Sequence, residues 1–209
     1  MQSNRVRLTA YFISGAWSVA LLIAGVKLPG VESKVLGFMP AMVVLLFWIF
    51  DNWIWRLSWV GSLIMRPNLN GTWAGTLTSM RPDDKGTEIT YPAKPVYLSI
   101  RQTFVSLNVM LFSEESRSGS HSAALQPDAA GGFSVLYNYA NIPELRVRER
   151  SRPHDGTAKL SLPSRIATSC EGEYWTDRRS RGSFTVTRKS RCQSGSYEDA
   201  AKTASGGSK

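Results

Sequence analysis

The chain has 209 residues, 43% hydrophobic and 20% charged, with a formal net charge of +9. With only two cysteines, that mixture excludes collagen-like, disulfide-scaffold and wholly disordered classes. The charge is uneven: residues 1–65 carry seven charged side chains and residues 66–209 the other thirty-four. This division predicts a membrane segment followed by a water-soluble domain.

Leu8 to Val26 is a run of nineteen residues without a charge. At 1.5 Å per residue it reaches about 28 Å, close to the hydrocarbon thickness of a bilayer. A cleaved signal peptide is the competing reading, since Arg5 and Arg7 precede the run and Ala24-Gly25 end it. The run is long for that role, and a second follows almost at once. Val35 to Phe50 is also uncharged, and continuing it to Trp55 reaches about 31 Å. Trp53, Trp55 and Trp59 read as an interfacial belt. Asp51 is expected to be an interfacial carboxylate reaching water, with a pairing to Arg56 or a helix–helix contact as the alternative. Lys27–Lys34, with Pro29-Gly30, is the expected hairpin. Arg5, Arg7, Arg56 and Arg66 flank the outer ends against Lys27 and Lys34 between the spans, which predicts both termini in the cytoplasm. Cys170 and Cys192 then read as reduced thiols. The expected division is a two-helix hairpin over 1–65, with spans of about 8–26 and 35–55, a β-domain over 66–191, and a disordered tail over 192–209.

After Asn70 the helical period gives way to period-2 runs. Strands are predicted at Thr72–Met80, Pro95–Arg101, Phe104–Ser113, Ser118–Gln126, Phe133–Tyr139, Thr157–Leu162, Cys170–Thr176 and Ser183–Lys189. Turn clusters separate them, such as RPDDKG at 81–86 and PDAAGG at 127–132. Eight short strands in about 120 residues predict an all-β sandwich or a small closed barrel. The barrel is preferred because closure removes edge strands and eight strands leave room for packed side chains or one small ligand. Phe133, Val135, Tyr137 and Tyr139 share one side, as do Ala158, Leu160 and Leu162, and Phe184 and Val186. These apolar sets are assigned to the interior. The tail CQSGSYEDAAKTASGGSK is rich in Ser, Gly and Ala and reads as disordered.

The sequence spells out no nucleophile elbow, phosphate loop, zinc motif or cofactor motif, so a non-enzyme with no metal and no cofactor is expected. His154-Asp155-Gly156 reads as a turn rather than an acid–base site. Positive charge is the better lead. Residues 66–209 hold twenty Lys and Arg against fourteen Asp and Glu. Arg146, Arg148, Arg150 and Arg152 alternate, and Arg178, Arg179, Arg181 and Arg188 gather near the last hairpin. Arginine's planar fork suits phosphate, and nearby tyrosines with Trp175 offer stacking faces for bases. Solvated strand-edge charge, or attraction to anionic lipid, competes with that reading. Ser113, Ser116, Ser118 and Ser120 supply hydroxyls either to a polar ligand or to a hairpin loop. Asn70-Gly71-Thr72-Trp73 opens the first strand like the G-x-W of lipocalin-type barrels, where a tryptophan closes one end.

Taken in order, two apolar spans followed by NGTWAGTL, SIRQTFVSLNVMLFSEESRSGSHSAAL, VLYNYANIPE, HDGTAKLSL and CEGEYWTDRRSRGSFTVTR resemble a known family. The chain is similar, over residues 5–191, to the two-transmembrane, β-strand-rich effectors of bacterial cyclic-oligonucleotide antiphage signalling systems (CBASS). The resemblance implies a cytosolic eight-stranded barrel that binds a cyclic nucleotide, most simply a dinucleotide, made by a partner nucleotidyltransferase on infection. It also implies assembly as a homo-oligomer in the bacterial inner membrane and disruption of that membrane.

Motif position and chemistry together nominate Gln102, Tyr137, Tyr139, Asn141, His154, Tyr174, Thr176 and Arg178 as ligand contacts. The tyrosines would stack on or hydrogen-bond the bases, and Arg178 would meet phosphate. Gln102, Asn141, His154 and Thr176 would read polar edges. Ser14, Gly15, Ser18 and Gly25 would permit close helix contact. The alternative function is a membrane-tethered, lipocalin-like barrel for a lipid or other apolar ligand, without membrane disruption.

Overall fold

The computed structural model describes residues 11, 15–19, 31–83 and 86–206, with the backbone alone for 31–38. Of the expected span 8–26, residues 11 and 15–19 are helical and the remainder lies outside the described residues. The chain divides into two compact units, one comprising 1–64 with 103–105 and the other 65–102 with 106–209.

In the first unit a helix spans Val31–Asn52 and continues through Pro40. It begins inside the expected hairpin and ends short of Trp55. The backbone then tightens into a 3-10 turn, Ile54–Arg56, before a short helix, Ser58–Leu63. Leu57, extended at φ −61° and ψ 138°, separates the two. Met42, Val43, Leu45 and Leu46 are more than half exposed on the long helix. Trp53 and Trp59 are exposed, whereas Trp55 is buried. Among the described residues no helix is long and apolar enough to cross a membrane. Asp51 corrects an expectation. It is 1% exposed rather than reaching water. Its carboxylate accepts the Val105 N–H at 2.9 Å and its carbonyl accepts the Phe104 N–H at 3.0 Å. Phe50 meets Phe104 edge-on at 5.0 Å. A buried carboxylate needs such donors, and they come from a segment far away in sequence.

In the second unit, nine strands among the described residues form one antiparallel sheet. They are β1 (Gly71–Pro82), β2 (Glu88–Thr90), β3 (Lys94–Gln102), β4 (Leu107–Ser113), β5 (Ser116–Pro127), β6 (Phe133–Pro143), β7 (His154–Leu162), β8 (Ser169–Thr176) and β9 (Arg181–Ser190). Their order is β2-β1-β3-β4-β5-β6-β7-β8-β9, and β1 also pairs with β9. That last pairing closes a ring of eight, so the expected barrel is present. β2 stands outside the ring, extending β1 through Met80–Thr90, Arg81–Ile89 and Pro82–Glu88 pairs. Val135, Tyr137, Ala158, Leu160, Phe184 and Val186 are all buried in one core with Trp73, Leu98 and Ile100. Glu171, Glu173 and Trp175 are exposed. The apolar alternation therefore faces inward, as the pleat requires.

The segment after 192, expected to be disordered, contains a helix, Tyr197–Gly206. Ser196 Oγ accepts the Asp199 N–H at 3.1 Å, and Asp199 Oδ2 accepts the Gly195 N–H at 2.9 Å. This reciprocal cap starts the helix. Ala200 is fully buried, Tyr197 meets Tyr97 at 5.3 Å, and Ser194 N–H donates to Ser99 Oγ. The small residues that suggested disorder let the helix lie close against outward-facing strand residues.

The two ends of the ring differ. At the base, where β1 begins and β9 ends, Trp73 is fully buried and its Nε1 donates to the Leu69 carbonyl at 3.1 Å. The Arg188 guanidinium lies 4.5 Å over its ring, and Arg188 Nη2 donates to the Asn68 carbonyl at 2.6 Å. Gln102, nominated as a ligand contact, is fully buried here instead. Its Oε1 accepts the Leu69 N–H at 2.7 Å, and its Nε2 donates to the Pro67 carbonyl at 3.0 Å. Its backbone N–H and carbonyl are bound by the Asn70 amide at 2.8 and 3.0 Å. Gln102 thus pins the chain as it enters the barrel.

Candidate ligand site at the barrel mouth

The opposite end opens into a cavity of about 420 Å³. Six of the eight nominated residues line it: Tyr137, Tyr139, Asn141, His154, Tyr174 and Arg178. They come from β6, β7, β8 and the β8–β9 turn, and alternation brings them to one place. Tyr137 and Tyr139 are two apart on β6 and face inward together, with ring centres 6.0 Å apart. Tyr139 pairs with Gly156 on β7, and Tyr174 on β8 pairs with Gly182 on β9. A Cβ at Gly156 would sit 2.5 Å from the Tyr139 ring, and one at Gly182 would sit 2.6 Å from the Tyr174 ring. Each ring thus lies across a neighbouring strand that only glycine leaves open. Ser79 Oγ and Tyr174 Oη share a 2.6 Å hydrogen bond that holds the second ring. Burial pushes the Tyr137, Tyr139 and Tyr174 phenols above their ordinary range. All three are neutral at physiological pH and act as hydrogen-bonding groups with aromatic faces.

His154 and Asn141 are opposite one another on β7 and β6. His154 Nδ1 lies 3.2 Å from the Arg152 carbonyl, and Nε2 lies 3.3 Å from Asn141 Nδ2. A carbonyl can only accept, so Nδ1 carries the proton and Nε2 accepts from the amide. Burial, reinforced by the nearby Arg178 charge, holds the imidazole pKa below its ordinary value and keeps the ring neutral. The arrangement commits the Asn141 N–H to histidine and leaves its Oδ1 buried without a partner. Arg178 donates from Nη1 to the Arg152 carbonyl at 3.2 Å, while its Nε is also buried without a partner. Asn141 and Arg178 thus line the same cavity, and each has one buried polar atom without a partner in the protein.

Thr176 does not line the cavity. Its Oγ1 is 2.6 Å from Ser180 Oγ and its N–H donates to the Ser180 carbonyl at 2.9 Å. It ties the turn that carries Arg178. Several lining residues escape the sequence reading: Ser79, Arg81, Tyr91, Lys94 and Ser180. Arg81 and Tyr91 flank the β1–β2 hairpin, whose RPDDKG stretch reads only as a turn. Of the serine run, Ser116 and Ser118 reach the cavity. Ser113 Oγ instead bonds the Ser116 N–H and carbonyl across its turn, and Ser120 Oγ accepts the Val109 N–H. The alternating arginines lie in and after a 3-10 turn, Leu145–Val147, rather than on a strand. Arg146 pairs with Glu144 at 3.0 Å, and Arg150 pairs with Glu115. Surface carboxylates thus answer part of that charge. Among the described residues no group of His, Cys, Asp and Glu is arranged to hold a metal ion.

The sequence model of the family described as "Cap15, cyclic dinucleotide receptor domain" matches residues 64–188, which includes all of the ring but the last two residues of β9, and every nominated residue. The chain belongs to this family. It is also 30% identical over 141 residues to the CD-NTase-associated protein 15 of Yersinia aleksiciae. That stretch covers 66% of this chain and 64% of the relative, so just under two thirds of the relative's length is spanned. The Cap15 receptor-domain family thus accounts for the ring, while the Tyr197–Gly206 helix lies beyond the matched residues.

Proposed function

We propose that this chain is the effector of a bacterial cyclic-oligonucleotide antiphage system, with a cyclic dinucleotide seated in the barrel mouth. The observation that carries the reading is a cavity lined by three neutral tyrosines together with Asn141 and Arg178, each of which has one polar atom without a partner in the protein. A cyclic dinucleotide offers complementary parts: phosphodiester oxygens for the guanidinium, base N–H groups for the amide oxygen, and two π faces for the rings. An apolar ligand would offer no partner to the Asn141 amide or the Arg178 guanidinium, which disfavours the lipid-carrier reading. The family description and the relative's name support the same ligand class. The ligand would come from a partner nucleotidyltransferase.

The proposal extends to the membrane. Residues 8–26 and 35–55 would span the bacterial inner membrane with both termini in the cytoplasm. The exposed Met42, Val43, Leu45 and Leu46 support this, because such side chains call for apolar surroundings. Ligand would then favour a homo-oligomeric, membrane-disrupting state, which requires tighter binding to the assembled form than to the resting one.

The test is calorimetric titration of the full chain in detergent with a panel of cyclic di- and trinucleotides. Reconstituted vesicles are then followed for dye release. Saturable binding of one cyclic dinucleotide, with ligand-dependent release, is expected. Absence of binding across the panel by a folded sample would overturn the ligand assignment. Binding without release would overturn only the membrane step.

A further inference from the structure

The base of the barrel carries a charge pattern that the mouth does not use. The segments meeting there, 66–71, 101–107, 127–133, 162–169 and 188–193, hold Arg66, Arg101, Arg165, Arg188, Lys189 and Arg191 against Asp128 alone. The segments at the mouth, 80–94, 113–116, 143–154 and 176–181, hold ten basic and eight acidic residues. Six minus one leaves +5 at the base, and ten minus eight leaves +2 at the mouth. Ion pairs Arg146–Glu144, Arg150–Glu115 and Arg181–Glu88 join opposite charges at the mouth. At the base Arg188 is engaged with Trp73 and Asn68, whereas Arg101, Lys189 and Arg191 are exposed. The register gathers them: Thr72 on β1 pairs with Ser99 on one side and Ser190 on the other. On the loop after β7, Ile166 is 77% exposed beside Arg165.

We propose that this base is a docking surface for anionic phospholipid headgroups. Arg101, Lys189 and Arg191 would meet lipid phosphates, with Ile166 entering the interfacial layer. A cluster of cations beside a protruding aliphatic side chain suits a lipid surface, where both phosphate and apolar carbon lie within reach. A nucleic acid would call for stacking rings, and the described residues of these segments present no exposed aromatic.

Cys192 provides the probe. It is exposed at the base, whereas Cys170 is buried and its thiol is pushed up to about 12, so a maleimide dye labels Cys192 selectively. The labelled full chain is mixed with vesicles of phosphatidylcholine alone, or of phosphatidylcholine with phosphatidylglycerol, at low and high salt. Dye emission reports the base, and flotation with the vesicles reports insertion. The expected result is a blue shift and quenching by a headgroup-attached quencher only with phosphatidylglycerol, reversed at high salt. The triple variant R101Q/K189Q/R191Q, checked by its melting curve, should need at least about tenfold more anionic lipid. Flotation on both lipids without lipid-dependent emission would overturn the docking surface and leave insertion standing. Anionic-lipid-dependent emission without flotation on phosphatidylcholine would support docking and overturn insertion. A salt-insensitive signal would overturn the electrostatic basis even if the variant failed to fold. A shift with single-stranded RNA but not with vesicles would also overturn the proposal.

Discussion

The two ends of the barrel use the same side-chain chemistry to opposite ends. At the base, Asn70 and Gln102 saturate one another and the backbone around them, and Arg188 covers a buried tryptophan. At the mouth the Asn141 amide keeps its Oδ1 buried without a partner; the guanidinium groups do not differ in this way, since Nε is unpartnered in both Arg178 and Arg188. A saturated buried network holds the fold, while an open one costs free energy until a ligand completes it.

Mutations can break this contrast from either side. Trp73→Ala should have the largest effect on the fold, about 3–5 kcal/mol by denaturant unfolding, since it removes a fully buried ring and strands Arg188. Gln102→Ala orphans the Leu69 N–H and the Pro67 carbonyl and should cost about 2–4 kcal/mol. In both, the molecules that remain folded should bind ligand with unchanged affinity; a selective loss of affinity would place Gln102 back in the site. Arg178→Ala should do the reverse, weakening cyclic dinucleotide binding by about 10–100-fold in calorimetry while the melting temperature hardly moves. Unchanged affinity would remove Arg178 from the site.

The smallest effect sharpens the mouth further. The His154 pKa lies below the ordinary 6.5 in the folded protein, so between the two values the unfolded chain binds the extra proton. The stability His154 contributes is therefore complete above about pH 6.5 and declines as pH falls through the folded value. His154→Gln, which cannot titrate, should show a shallower loss of stability between neutral and mildly acidic pH than the parent chain. Parallel curves would show that the imidazole is not held neutral by its surroundings.

How much was legible beforehand follows the range of the interactions involved. Val135, Tyr137 and Tyr139 announce an inward strand face through alternation alone, and six of eight nominated residues meet in the mouth because a regular pleat carries them there. Gln102 has the same pattern and polarity, but it sits at the other end of its strand, a difference of strand direction that composition does not encode. β2 is not legible because its three residues are exposed and its single apolar one, Ile89, gives no alternation, and the Tyr197–Gly206 helix is not because Ser and Ala look alike in a tail and in a close contact. The burial of Asp51 is not legible in the sequence because its donors, the Phe104 and Val105 N–H groups, lie more than fifty residues away.

Sequence by itself determined the eight ring strands and their inward faces, since these depend on local period and residue type. Tertiary structure alone decided which end is sealed and which is open, which asparagine is saturated and which is not, and where the tail comes to rest. Those outcomes depend on pairings between residues distant in sequence, where hydrogen bonds and packing are satisfied only once the ring has closed.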